Sequence, residues 1–271
     1  MVLGFSGWMD GGGVSTRTVG YLADACAATP TATIPPEEFY ILSFPASMEV
    51  SALVRPATHV ADGRVQYVEM PENVIRSSKS DNLVLFEGKE PHLRWETYAS
   101  CILACAERLN VRLLVFAGSV SGTAPHTRDP RVYASATSER LLDELQRAGA
   151  GLSNYQGPAS FITYLMMQAE RRGLDMCSLV AEIPAYVQGD YPVAVETILR
   201  TVTRLHPMDI GLDLAARASK SFRAQLDELV QKRADLRELV SKLEEEYDRQ
   251  TRESRMDDIR EWFEKQNLPP E

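Results

Sequence analysis

The sequence predicts an α/β protein, a mainly parallel sheet covered by helices on both faces, with a charged helical extension at its C-terminal end. Three observations carry this. Apolar runs of strand length alternate with segments of helical period through residues 1–210, and strands buried on both faces are what a parallel sheet requires. The chain opens on one such run, Val2–Phe5, which breaks into Ser6-Gly7-Trp8-Met9-Asp10-Gly11-Gly12-Gly13 just ahead of a helix. Composition then shifts near His206-Pro207. Residues 211–271 hold 27 charged side chains among 61 positions and a single glycine, Gly211, whereas residues 1–210 hold 40 among 210 and nearly all the glycines. We therefore expect an α/β domain over 1–210 and a helical extension over 211–271.

Val2–Ser6 reads as the first strand and about Val14–Ala28 as the first helix. Phe39–Phe44 and Val65–Glu69 follow as short strands, the second alternating through Val65, Tyr67 and Glu69. Leu83–Phe86 is a continuous apolar run closed by Glu87-Gly88, and a helix is expected from about Arg94 to Leu109. The clearest buried strand is Val111–Ala117, which ends in Gly118-Ser119-Val120-Ser121-Gly122. Helices follow at Ser138–Arg147 and Ser160–Arg172, then a strand at Cys177–Ile183 and a helix at Val193–Leu205. Pro192 opens that last helix at a first-turn position, where its missing N–H costs nothing.

From Leu212 to about Lys265 the period is helical. Phe222, Leu226, Leu229, Arg233, Leu236, Val240, Leu243 and Tyr247 step alternately by four and three, a heptad seam. The register fails at Gln250 and Ser254 and resumes in another phase at Met256, Ile259 and Phe263. A seam so narrow on so charged a helix needs a partner surface, either on its own domain or on another chain.

A net charge of −9 argues against nucleic acid or an anionic membrane as the main partner. No apolar run approaches the roughly 20 residues that span a bilayer. Cys26, Cys101, Cys105 and Cys177 form no C-x-x-C pair and stand at no zinc-finger spacing from His, so a reducing cytoplasm is expected. Cys101 and Cys105 read as small apolar residues on one helix face. His59, His92 and His206 lie apart in loop-like surroundings, and neither a metal nor a cofactor is expected. A strand at residue 2 has no lead-in, so the start of the chain is expected to have been trimmed.

Ligands of parallel sheets sit beyond the carboxyl ends of the strands, and every segment that could carry chemistry here follows a strand. Backbone N–H groups around Gly7, Trp8, Asp10, Gly11 and Gly12 could hold an anion at the helix N-terminus. The spacing is neither the dinucleotide nor the P-loop fingerprint, no Lys follows, and Asp10 would repel phosphate. Capping the first helix is its preferred role. Gly118 and Ser119, with Thr123-Ala124-Pro125-His126-Thr127-Arg128 beyond them, offer hydroxyls, an imidazole and a guanidinium without a G-x-S-x-G elbow. Hydroxyls that satisfy their own turn are the simpler reading. Asn154-Tyr155-Gln156-Gly157-Pro158 and Glu182-Ile183-Pro184-Ala185-Tyr186 complete the set. The residues assigned to a ligand edge are thus Gly7, Trp8, Asp10, Gly11, Gly12, Gly118, Ser119, Arg128, Tyr155, Gly157, Pro158 and Tyr186. No catalytic residue is assigned.

Taken in order, five pieces resemble the pattern of the PAC2 family, the proteasome-assembly-chaperone-2-like proteins. They are Gly4-Phe5-Ser6-Gly7-Trp8-Met9-Asp10-Gly11-Gly12, the Trp95 helix after Glu87-Gly88-Lys89-Glu90-Pro91, the strand into Gly118-Ser119, Tyr155-Gln156-Gly157-Pro158, and Pro184-Ala185-Tyr186 followed by Tyr191-Pro192. The resemblance spans roughly residues 1–205. The Gly-Trp-Met-Asp form and the long charged C-terminal helix are most similar to the bacterial, especially actinobacterial, branch. It implies a three-layer α/β/α fold like that of nucleoside phosphorylases and hydrolases, in a homo-oligomer with a trimer favoured. It also implies a non-catalytic role in binding or assembling other proteins, to which the 211–271 helices could offer a second contact. The alternative is a nucleoside phosphorylase/hydrolase-type enzyme or a small-molecule sensor with an anion at the strand ends. Archaeal members that dock on the proteasome end in hydrophobic-Tyr-x, whereas this chain ends Leu268-Pro269-Pro270-Glu271, so docking by that device is not expected.

Overall fold

Alternation along the central strands sorts the apolar side chains onto two faces. On β1 (Val2–Ser6), Leu3 and Phe5 point one way and Val2 the other. On β7 (Leu113–Gly122), Leu114 and Phe116 oppose Val115 and Ala117. On β10 (Asp175–Pro184), Met176 opposes Cys177, Leu179 and Ala181. A period of two with both faces apolar can be buried only between two layers. Those layers are α1 (Val14–Ala25) and α6 (Pro192–Leu205) on one face, and α3 (Trp95–Arg108) and α5 (Phe161–Arg171) on the other. The computed structural model describes residues 1–265, with side-chain surroundings through Glu253. The second phase of the heptad seam, at Met256, Ile259 and Phe263, lies outside the described side chains, and the Leu268–Glu271 ending lies outside the described residues.

The sheet has eight strands in the order β2-β5-β6-β1-β7-β10-β8-β9. Its centre, β6 (Leu83–Lys89), β1, β7 and β10, is parallel. Both flanks turn antiparallel: β2 (Thr29–Thr33) on β5 (Val74–Ser78) and β5 on β6, and β8 (Val132–Ala136) on β10. Two-residue β9 (Gly151–Leu152) follows α4 (Glu139–Arg147) and pairs parallel to β8. Short α2 (Met48–Ala52) and a separate hairpin of β3 (Thr58–Ala61) and β4 (Arg64–Val68) fill the connection between β2 and β5. This is the three-layer α/β/α architecture with a mainly parallel sheet.

One stretch read as a strand is not one. Phe39–Phe44 forms no strand. Phe39 and Tyr40 are both buried, as successive strand residues facing a single core would not be. The Phe39 carbonyl accepts the N–H groups of His92 and Leu93, and the Tyr40 hydroxyl donates to Asn73 Oδ1 at 2.5 Å, where the Tyr98 hydroxyl also donates at 2.6 Å. The run is an anchored loop. The C-terminal extension is a helical hairpin: α7 (Asp213–Lys232) ends at Arg233, whose backbone is extended (φ −124°, ψ 111°), and α8 (Ala234–Lys265) begins directly after it. The break divides the heptad seam. Phe222 and Leu226 of α7 pack on the core beside α6, with the Phe222 ring 5.7 Å edge-on from Tyr191, whereas Leu229 is left exposed. The helical hairpin therefore packs against its own chain. No helix among the described residues is long and apolar enough to cross a membrane.

Candidate functional site

The turn after β1 closes over the carboxyl ends of the central strands and is held there by its own polar groups. Asp10 caps α1: its Oδ1 accepts the N–H groups of Ser15 at 2.7 Å and Thr16 at 3.2 Å, and its Oδ2 accepts the Thr16 hydroxyl at 2.9 Å. The carboxylate thus occupies the backbone donors that an anion would take at this helix end. Burial pushes the Asp10 carboxyl above its usual range, and the bonds from Thr16 and Ser15, with the nearby Arg17 charge, pull it partly back. Across the turn, Ser119 is fully buried. Its N–H donates to the Met9 carbonyl at 2.9 Å and its hydroxyl to the Gly11 carbonyl at 2.5 Å. A hydroxyl so engaged ties the end of β7 to the turn, and among the described residues its hydrogen-bond partner is a backbone carbonyl rather than a base.

Close approach explains the glycines. A Cβ on Gly118 would lie 2.5 Å from the Phe116 ring and 2.9 Å from the Met9 carbonyl oxygen. Gly12 has φ +62°, and a Cβ there would meet Tyr191, whose N–H donates to the Gly12 carbonyl. Glu90, in the segment after β6, joins three elements and had no assigned role in the sequence reading. Its N–H donates to the Ser6 carbonyl, its Oε2 accepts the Trp8 N–H at 2.9 Å, and its Oε1 accepts the Phe161 N–H at the start of α5, also at 2.9 Å. A carboxylate directly after a strand, beside a glycine turn and a helix start, was the available signal. Trp8 and Tyr155 stand on the surface, 66% and 68% exposed. The Tyr155 hydroxyl donates to the Pro158 carbonyl at 3.2 Å and folds its loop over Gly157.

Arg128 and Tyr186 belong to a second cluster. The loop from Thr123 to Arg131 is clamped from outside by α7 and α8. Arg128 grips Asp248 with two bonds, of 2.9 and 2.8 Å, and meets Glu244 at 3.2 Å; Thr127 donates to Glu244 at 2.6 Å. Arg223 donates to the carbonyls of His126 and Arg128. His126 is buried, its Nδ1 2.6 Å from the Tyr186 hydroxyl and its Nε2 3.2 Å from Asp227 Oδ1. Burial lowers the His126 pKa, with Asp227 opposing it, and burial pushes the Tyr186 hydroxyl up to about 12. Beneath the loop, Glu182 Oε1 accepts the N–H groups of Thr123 at 2.6 Å and Ala124 at 3.2 Å, while Oε2 has no hydrogen-bond partner and faces Arg131 at 3.9 Å.

Of the twelve residues assigned from sequence, Gly7, Trp8, Asp10, Gly11, Gly12, Gly118 and Ser119 gather around the first turn. Glu90 links that turn to α5, next to the loop of Tyr155, Gly157 and Pro158, whereas Arg128 and Tyr186 face the C-terminal hairpin. Chemically, the first turn presents shape and exposed rings. Its carboxylate and its buried hydroxyl are engaged in holding it closed. Among the described residues no group of three or more His, Cys, Asp or Glu side chains is placed to hold a metal ion.

Comparison with known proteins bears on this arrangement. The family model described as PAC2 family matches residues 4–230. No curated protein matches the chain. Among solved structures, a proteasome-assembly chaperone homologue from Mycobacterium tuberculosis is 25% identical, with 88% of this chain and 98% of that one covered and a TM-score of 0.76. A protein of unknown function from the same organism is 25% identical over 94% of this chain and 85% of that one, with a TM-score of 0.80. A PAC2 family protein from Streptomyces avermitilis is 24% identical over 89% and 98%, with a TM-score of 0.75.

Proposed function

The chain belongs to the PAC2 family, and from that premise we propose that it is a non-catalytic interaction protein of assembly-chaperone type. It acts as a cytoplasmic homo-oligomer, with a trimer favoured. One observation carries the reading. Between β2 and β5 the chain projects six large apolar side chains that nothing among the described residues covers: Phe44, Met48, Leu53, Val60, Val65 and Tyr67 are all exposed, Met48 and Leu53 by 84% and 80%. Among the described residues the β3–β4 hairpin pairs only with itself, which leaves both its edges open. Monomers seldom leave so extended an apolar patch to water, and such a patch marks a protein interface. It stands beside the strand ends, where Leu42 and Met70 share a cleft of about 380 Å³ with Ser6 and Lys89. The chaperone homologue from Mycobacterium tuberculosis, similar over most of both chains, supports an assembly role. All four cysteines are free thiols, consistent with a reducing compartment.

The test combines mass with capture. Light scattering should give the wild type a multiple of the 30.2 kDa chain, and the Met48→Ser, Leu53→Ser, Val65→Ser triple variant the mass of one chain with an unchanged circular dichroism spectrum. Affinity capture from the native cell, followed by mass spectrometry, should recover protein partners with the wild type and lose them with the variant. A wild type that is monomeric, together with identical captures by both proteins, would sink the proposal.

A further inference from the structure

At the opposite edge of the sheet from the apolar projection, β8, β9, α6 and α8 enclose a cleft of about 770 Å³, within the size range of small-molecule sites. Four arginines line it, Arg131, Arg200, Arg204 and Arg223, against two carboxylates, Asp129 and Glu196. In a chain of net charge −9 this is a local reversal of sign, and a concave wall focuses it.

The individual pairings show where the excess lies. Arg223 meets Asp129 and Arg200 meets Glu196, each at 2.7 Å. Arg131 faces Glu182 behind the wall and is held by Gln250 Oε1 at 2.7 Å and the Tyr247 carbonyl at 2.8 Å, with its guanidinium 3.8 Å above the Tyr247 ring. Arg204 differs from all three. It donates to the Ala148 carbonyl at 3.2 Å and forms no ion pair among the described residues. A guanidinium bonded to a neutral carbonyl is oriented while its charge is left uncompensated. Arg200 and Arg204 stand one turn apart on α6, a spacing that puts both guanidinium groups on the same helix face, Arg200 with its Nε and Nη2 on Glu196 Oε1. Tyr133, half-buried on the neighbouring strand, adds ring surface within the same cleft.

We infer that this cleft binds a small organic phosphate, its phosphomonoester group held by Arg200 and Arg204 and its ring or chain lying against Tyr133. Gln250 and Thr251 of α8 form one wall. The complete site therefore exists only while the C-terminal hairpin is docked, and by linkage occupancy strengthens that docking.

Phenyl phosphate serves as the probe, titrated into the full chain by calorimetry at low salt beside inorganic phosphate, phenol and a hexaglutamate peptide. Phenyl phosphate should bind best, inorganic phosphate more weakly, and phenol not measurably. The Arg200→Gln, Arg204→Gln double variant should bind phenyl phosphate about a hundredfold more weakly, about tenfold for each charged donor removed. Both positions are exposed, so the double variant should keep the wild-type unfolding temperature in probe-free buffer. Arg204→Lys, which retains the charge without the fork, should fall between. Tyr133→Ala should weaken phenyl phosphate and leave inorganic phosphate unaffected. Absence of binding by phenyl phosphate, or equal affinity in the wild type and the double variant, would overturn the assignment. Hexaglutamate binding ahead of phenyl phosphate would overturn it in favour of an acidic protein segment.

Discussion

Replacing Asp10 by alanine removes the acceptor of three hydrogen bonds at once, two from the first backbone N–H groups of α1 and one from the Thr16 hydroxyl. Loss of a capping side chain costs about 1 kcal/mol. Leaving partly buried N–H groups without partners adds about 1–2 kcal/mol, so Asp10→Ala should destabilise by roughly 2–3 kcal/mol. In a chain of this size about 1 kcal/mol moves the midpoint by about 2–4 °C, which places the expected fall near roughly 8 °C in a thermal melt followed by circular dichroism. Asp10→Asn separates the cap from the charge. The amide oxygen can keep the bonds from the Ser15 and Thr16 N–H groups without burying an anion, while the amide NH2 donates to the Thr16 hydroxyl instead of accepting from it; burial is the largest influence on this carboxyl, so the variant should lie within about 1 kcal/mol of wild type. The pH dependence has a definite sign. The folded-state pKa of Asp10 is raised above 3.8, so the folded chain binds this proton more readily than the unfolded one. The resulting stability is fully present below 3.8 and is lost as pH rises through the raised value. Wild type should therefore lose stability relative to Asp10→Asn across that window. An alanine variant that melts with wild type, or an asparagine variant as damaged as the alanine one, would refute this account of the turn.

Two further outcomes follow from the close contacts and the buried imidazole. Gly118→Ala forces a Cβ to 2.5 Å from the Phe116 ring and 2.9 Å from the Met9 carbonyl and should cost about 1–3 kcal/mol, read as a lower urea midpoint; an unchanged midpoint would show that the turn yields freely. His126 has a folded-state pKa below 6.5, so the unfolded chain binds this proton more readily, and its contribution is present above 6.5 and lost as pH falls toward the lower folded value. Hydrogen-exchange protection factors in α7, which remove the intrinsic pH dependence of amide exchange, should accordingly fall on acidification in the wild type and fall less in His126→Gln; parallel behaviour of the two would exclude His126 as the titrating group.

Legibility followed the range of the interactions involved. The central strands β1, β6, β7 and β10 and the helices α1, α3, α5 and α6 were readable because period, apolar content and glycine turns are recorded within a dozen neighbouring residues. The edge strands were less so. β2 is mostly exposed and carries Pro30, β8 (Val-Tyr-Ala-Ser-Ala) holds a single large aliphatic side chain, and β9 spans two residues, so neither apolar content nor alternation marked them. Phe39–Phe44 misled because a loop that buries Phe39 and Tyr40 and exposes Leu42 and Phe44 leaves the same apolar run as a strand.

The first turn was found from sequence because its glycines and Asp10 lie next to one another. Glu90, by contrast, acts through Trp8 and Phe161, 82 and 71 residues away. Arg128 was visible as a charge but not as a clamp, since its partners Glu244 and Asp248 are 116 and 120 residues downstream. Those partners reach it only because the backbone breaks at Arg233 and α8 packs back over the β7–β8 loop. Local patterning decided which segments became strands and helices, and it located the turn over the strand ends. Tertiary packing decided which charges meet, which apolar surface stays bare, and that a cleft lined by arginine opens beside α8. Such pairings depend on distances that exist only once the layers have closed.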